Sequence, residues 1–278
     1  MNSDENVASA SSQDQKGNLP KRADIDVRHV ILVLSGKGGV GKSTVSVNLA
    51  YALSKKERQV GLLDLDIHGP NIPKMLGLEE HKLMSEQNKI IPVRLSEKLQ
   101  VLSIAFLLPQ RDSPVVWRGP MKSSAIRQFL EDTAWNSLDY LIVDLPPGTG
   151  DEALTIAQSA PNIHGTVIVT SPQDVSTLDS SKAISFSRDL GVEVLGVIEN
   201  MSGFICPHCH EEVDLFGKGG GELIAKEMDV PYLGSIPFDC VIRQSCDDGW
   251  PFMSKNEKDS TWNAFNQIIE KIIFKVEQ

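Results

Sequence analysis

The chain has 278 residues, 41% hydrophobic and 23% charged, enough for one large α/β domain or two small ones around a substantial core. Its formal net charge of -10 argues against a surface that coats nucleic acid, although a local phosphate pocket needs only a few lysines. No apolar run reaches the roughly eighteen residues that a membrane span requires.

Residues 1–27 open with MNSDENVASASSQDQKGNLPKRADID, which lacks a signal peptide's apolar stretch and is too acidic for a typical transit peptide. A polar, disordered arm is expected there, followed by a single domain over 28–278. Four cysteines without a secretory signal fit a reducing cytoplasm rather than a disulfide framework.

From His29 onward, short β-branched runs alternate with helical patterns. HVILVLS reads as a buried strand, and KSTVSVNLAYALSKK follows as a helix with Val45, Leu49, Ala52 and Leu53 on one face. QVGLLDLD, LQVLSIAF, DYLIVDL, HGTVIVTS, VEVLGVIEN and VPYLGSIP are the further strands. Helices are predicted between them at roughly 121–133, 152–159, 176–190 and 219–228. The strands are continuously apolar rather than alternating, so both sheet faces are covered. That pattern predicts one doubly wound, mostly parallel sheet with helices on each side, an α/β fold. The terminal STWNAFNQIIEKIIFKV places Trp262, Phe265, Ile268, Ile269, Ile272, Ile273 and Val276 on one helical stripe. Lys271 and Lys275 are offset by Glu270 and Glu277, which favours packing on the core over a membrane surface.

Chemistry concentrates in SGKGGVGKST, Ser35 to Thr44. Gly36, Gly38 and Gly41 satisfy the dinucleotide pattern G-x-G-x-x-G, while Gly36, Gly41, Lys42 and Ser43 satisfy the P-loop pattern G-x-x-x-x-G-K-[ST]. Lys42 and Ser43 favour the second reading. A pyrophosphate needs close backbone approach and a helix N-terminus, whereas a triphosphate has more charge for Lys42 to neutralise and a Mg²⁺ for Ser43 to ligate. The strand YLIVDL ends in Asp144, placed to hold Mg²⁺ through water, and the glycine-rich PPGTGD after it can move with the γ-phosphate. Lys37 adds a cation that an ordinary P-loop lacks. In DLDIHGPN, Asp64 and Asp66 end the second strand opposite the loop, one carboxylate to orient an attacking water and the other to support the metal shell.

GKGGVGKST, DLDIHGPN, VDLPPGTGD and ENMSGFICPHC together resemble the Mrp/ApbC-type ATPases of the deviant-Walker-A class, which also contains MinD, ParA and the nitrogenase iron protein. The match covers roughly residues 28 to 275. It implies a P-loop NTPase domain acting as a homodimer, with ATP bound between subunits along Gly36, Lys37, Gly38, Gly39, Val40, Gly41, Lys42, Ser43 and Thr44. It also implies that Lys37 reaches the partner's nucleotide, that Asp66 assists water attack and that Asp151 belongs to switch II. Asn200, with the backbone around Pro237 and Phe238, is implied to contact the adenine.

CPHC places Cys206 and Cys209 in a C-x₂-C turn just after the strand bearing Asn200. Two thiolates complete neither a tetrahedral zinc site nor a four-iron cluster. The partner's pair across a two-fold axis is the leading completion. Cys240 and Cys246 within the chain, His208 and His210, or a redox pair or inert turn are the alternatives. Cys240 and Cys246 otherwise read as ordinary semi-buried cysteines. The leading function is an ATPase that carries an iron–sulfur cluster, most simply [4Fe–4S], and passes it to apo-proteins, without membrane or nucleic acid. A MinD/ParA-like positioning ATPase and an ATP-switched dimer with structural zinc are the competing readings.

Overall fold

Residues 22–67, 69–107, 119–206, 208–209, 211–255 and 259–278 are described in a computed structural model of the chain. Strand β1 (Val27–Leu34) is buried continuously from Val30 to Leu34, because it lies between β7 (Leu138–Asp144) and β8 (Ile163–Thr170), both parallel to it. On the far side of β7 come β2 (Val60–Asp64) and β6 (Leu99–Ser103), also parallel. Beyond β8 lie β9 (Val194–Ile205) and β11 (Tyr232–Phe238). Two short antiparallel strands, β5 (Val93–Arg94) on β6 and β10 (Glu212–Val213) on the tip of β9, complete a nine-stranded sheet among the described residues. A separate hairpin joins β3 (Met84–Glu86) and β4 (Lys89–Ile91).

Alternate residues of β1 enter different cores. Ile31 and Val33 pack with α1 (Lys42–Lys55) and α8 (Ser260–Val276) on one face. Val30, Leu32 and Leu34 pack on the other with α3 (Gly119–Glu131), α4 (Asp151–Ser159), α5 (Asp174–Asp189) and α6 (Gly220–Glu227). The doubly wound sheet expected from the apolar strands is therefore the fold observed. In α8, Phe265, Ile268, Ile269, Ile272 and Val276 are buried, so its stripe faces the core. Each such side chain contributes about 1.5–3 kcal/mol on leaving water. The Asp259 carboxylate caps this helix by accepting from the Trp262 amide at 2.8 Å.

Of the arm expected over 1–27, residues 1–21 lie outside the described residues. The folded body begins earlier than residue 28. Ala23 is buried, its amide donates to the Ser159 carbonyl, and β1 starts at Val27. Helices α2 (Ile72–Met75) and α7 (Cys240–Asp248) and the β3–β4 hairpin are additions to the predicted elements.

At the end of the sheet where β1 and β8 begin, His29 Nδ1 lies 3.2 Å from His164 Nε2, and its ring packs against Tyr140. Burial, then the His164 imidazole, holds His29 below its ordinary value of 6.5; Arg28 acts in the same direction, while Glu277 and Asp139 oppose it. The unfolded chain therefore binds the proton more readily than the folded one. The contribution to stability is complete above about pH 6.5 and is lost as pH falls through the depressed His29 value. His29→Gln is expected to flatten the acid limb of a plot of thermal midpoint against pH below 6.5. An unchanged slope in that variant would remove His29 as its source.

Candidate functional site

Register brings the site together. β1 ends beside β7 with Val33 opposite Asp144, β2 places Asp64 opposite Asp144, and β6 places Ser103 opposite Asp64. The carboxyl ends of four adjacent strands thus meet beneath the loop joining β1 to α1. Gly41 adopts a left-handed φ of 84° at the start of α1, and a β-carbon there would collide with the Asn200 amide. Gly36 crosses the backbone of α5 at Asp179 so closely that a β-carbon has no room. The loop then delivers Lys42 and Ser43 at the N-terminus of α1, where free amides and the helix dipole favour an anion.

Asp144 is fully buried and fully partnered. Its Oδ2 accepts from Ser43 Oγ at 2.6 Å and pairs with Lys42 Nζ at 2.9 Å; its Oδ1 accepts from Ser46 Oγ at 2.6 Å. Asp64, also fully buried, accepts from Ser103 Oγ at 2.8 Å and from the Asp66 amide at 3.1 Å. Burial first, then the neighbouring Asp144 charge, pushes the Asp64 carboxyl up to about 8.

A cavity of about 220 Å³ is lined by Gly38, Gly39, Lys42, Ser43, Asp66 and Pro147, among others. A second of the same size is lined by Asn200, Pro237 and Phe238 together with Ile242, Arg243 and Cys246 of α7. Thr44 and Met75 line both, so the two are neighbours. The residues expected to hold phosphate and those implied for adenine therefore line neighbouring cavities. Asn200 is buried and donates from Nδ2 to the Val40 carbonyl at 2.9 Å, tying β9 to the loop. Lys37 and Asp151 are exposed and line neither cavity; Lys37 stands on the outer side of the loop and Asp151 begins α4.

The contribution of α7 was not read from the sequence. Its signals were an N-cap at Asp239, which accepts from the Val241 amide at 2.7 Å, and a left-handed Gly249 at its end. Cys246 Sγ lies 3.7 Å from Thr44 Oγ1, and burial raises its thiol above the ordinary value. It is semi-buried, as expected, and lines the second cavity.

Cys206 and Cys209 lie between the paired strands β9 and β10, and the Cys206 amide donates to the Glu211 carbonyl at 3.0 Å. Cys206 is half-buried and Cys209 exposed, both as free thiols. Hydrogen bonds from the backbone at Cys209 and His208, and from the Cys209 thiol, hold the Cys206 thiol below its ordinary value. Among the described residues, no group of three or more His, Cys, Asp or Glu is arranged to hold a metal. His210 lies outside the described residues.

The model of the NUBPL iron-transfer P-loop NTPases, within the ParA group, matches residues 26–273. The chain belongs to this family. It is 52% identical over 251 residues to an iron–sulfur cluster carrier protein of Methanocaldococcus jannaschii, covering 90% of this chain and 86% of that one. It is 45% identical to a protein of Nematostella vectensis named as a homolog of the cytosolic Fe-S cluster assembly factor NUBP2, covering 88% and 93%. A solved nucleotide-binding protein of Archaeoglobus fulgidus, in complex with ADP and with cobalt found, superposes with a TM-score of 0.73 at 38% identity, covering 86% and 92%. As a NUBPL-family P-loop NTPase, the chain carries its two-thiol hairpin on the same strand, β9, that touches the P-loop through Asn200. No helix among the described residues is long and apolar enough to cross a membrane.

Proposed function

We propose that the chain is a cytoplasmic ATP-hydrolysing carrier that holds an iron–sulfur cluster between two copies of itself and transfers it to apo-proteins. One observation carries this reading. A single strand presents Asn200 to the nucleotide cavity and, six positions on, begins the thiol-bearing turn at Cys206. A change at the loop is thereby coupled to the cluster site through continuous backbone. The carrier names of close relatives and the ADP in a solved one support the same reading.

The roles assigned in this reading are as follows. Lys42 neutralises the β- and γ-phosphates, and the α1 N-terminus supplies amides to them. Asp66, on the cavity wall and bonded through Oδ1 to the Gly69 amide at 3.2 Å, orients the attacking water. Lys37, exposed on the outer side of its loop, acts on the nucleotide of the facing copy. Asp151 starts the switch helix behind PPGTG. The donor set also fits Mg²⁺, being hard oxygens around two buried carboxylates whose mutual repulsion a cation would relieve. Ser43 and Asp144 would hold that ion with Asp64 behind them, and it would supply charge neutralisation at the phosphates. ATP and water become ADP and phosphate, and the altered loop contacts loosen the shared cluster.

Anaerobic purification, iron and sulfide reconstitution, and transfer to an apo-ferredoxin test the whole reading. Expected are bound iron and sulfide, cluster transfer to the acceptor, and faster transfer with ATP than with a non-hydrolysable analogue. Purification with tightly held zinc, and no transfer after reconstitution, would replace the carrier with a zinc-bridged dimer.

A further inference from the structure

Strand β9 leaves its regular course between Asn200, which lines the second cavity, and the thiols that follow the strand. Met201 adopts a left-handed φ of 62° and Gly203 one of 71°. Glycine takes that conformation freely, but a residue with a β-carbon is disfavoured there by about 5–30-fold. The break also shows in the register. Ile236 pairs with Asn200 and Phe238 with Phe204, so β9 spends four residues where β11 spends two. Beyond the break, Phe204 and Ile205 pair with β10, and Cys206 follows.

The strained residue is held from both sides. Asn200 before it donates to the Val40 carbonyl of the P-loop, and Ser202 after it donates to buried Glu199. The Met201 side chain itself lines the second cavity, its Cε 3.8 Å from where a β-carbon of Gly41 would stand. Backbone strain persists only where its surroundings enforce it, so a change in those surroundings can release it.

We propose that Met201 is the hinge through which a nucleoside in the second cavity re-aims Cys206 and Cys209. A nucleoside against its side chain shifts the balance between the left-handed backbone and a relaxed one at negative φ. Phe204, β10 and the thiols turn with that balance. Met201 is thus a positioning residue, and the inference deepens the carrier reading above and rests on it.

Alkylation of the metal-free protein by iodoacetamide, followed by peptide mass spectrometry at Cys206 and Cys209, provides the test. Rates are compared without nucleotide and with ADP at a concentration that calorimetry shows to saturate each variant. The assembly state is one that sedimentation shows ADP to leave unchanged. Neither thiol lines either cavity, so bound ADP does not shield them directly. In the wild type, ADP is expected to change both rates by about fivefold or more, the scale of the strain. Met201→Leu, of similar bulk and with the same backbone penalty, should respond as the wild type does. Met201→Gly, free of that penalty, should label at the same rate with and without ADP. A wild-type response in Met201→Gly would overturn the hinge, as would loss of the response in Met201→Leu. Wild-type rates indifferent to bound ADP would overturn it too, and all three results leave the NTPase reading in place. A wild-type chain that bound no ADP would overturn that reading, and this inference with it.

Discussion

Replacing Lys42 with methionine is expected to lower affinity for ATP analogues by at least tenfold and the stability of the empty protein as well. The two losses have separate causes. Lys42 is nearly buried, with its ammonium 2.9 Å from the fully buried Asp144, so it acts in a desolvated place. Charge-assisted bonds to phosphate there contribute about 1.5–3 kcal/mol, a factor of about 10–150 in binding. Without nucleotide, the same ammonium neutralises Asp144, which lies beside Asp64 across the β2–β7 register. Removing one partner of a buried pair costs about 3–5 kcal/mol when the other charge stays uncompensated. Asp144 keeps the hydroxyls of Ser43 and Ser46, so the loss should lie toward the lower end. Methionine retains the stem's packing and isolates the charge. Wild-type affinity for ATP analogues in Lys42→Met, measured by calorimetry, would reject the P-loop assignment. A lowered thermal midpoint with intact affinity would leave Lys42 only its structural pairing with Asp144.

The sheet and the loop were legible for a shared reason: their chemistry restricts the residues that can serve. Buried parallel strands demand unbroken apolar runs, and HVILVLS, DYLIVDL and HGTVIVTS supply them. A phosphate loop demands Gly41 at positive φ and Lys42 at a helix start, and both are explicit in the letters. The elements that escaped are short or use permissive residues. In the β3–β4 hairpin, Gln87 and Asn88 occupy positive φ where glycine would have announced the turn. Helix α7, CVIRQSCDD, fully buries only Ser245, so it shows no apolar stripe to read. Its place against Thr44 depends on tertiary packing, so Cys246 could not be separated from an ordinary cysteine by spacing. The adenine-side set, Asn200 with Pro237 and Phe238, was named through resemblance rather than pattern, and the structure lines one cavity with all three.

Loss of either hairpin thiol should abolish cluster binding and leave nucleotide binding untouched. An iron–sulfur cluster of the common types takes four thiolates, and each chain offers the pair Cys206 and Cys209. The expected completion is the same pair from a second copy across a two-fold axis. Such a site is exposed and shared, and its release requires only that two hairpins part. The base of the hairpin is independently anchored. Buried Glu199 accepts from the amides of Gly219 and Gly221 and from Ser202 Oγ, so alanine at the tip should not disturb Asn200 or the loop. Cys206→Ala and Cys209→Ala should therefore reconstitute no cluster while retaining wild-type affinity for ADP. Cys240→Ala should change neither property, and Cys246→Ala should affect only the nucleotide, through the wall it forms beside Thr44. The expected stoichiometry in the wild type is about one cluster per two chains, read from iron and sulfide content against protein concentration. A full cluster in the double variant Cys206→Ala, Cys209→Ala would place the ligands elsewhere. One cluster per chain, in protein that remains monomeric by sedimentation, would abolish the shared site.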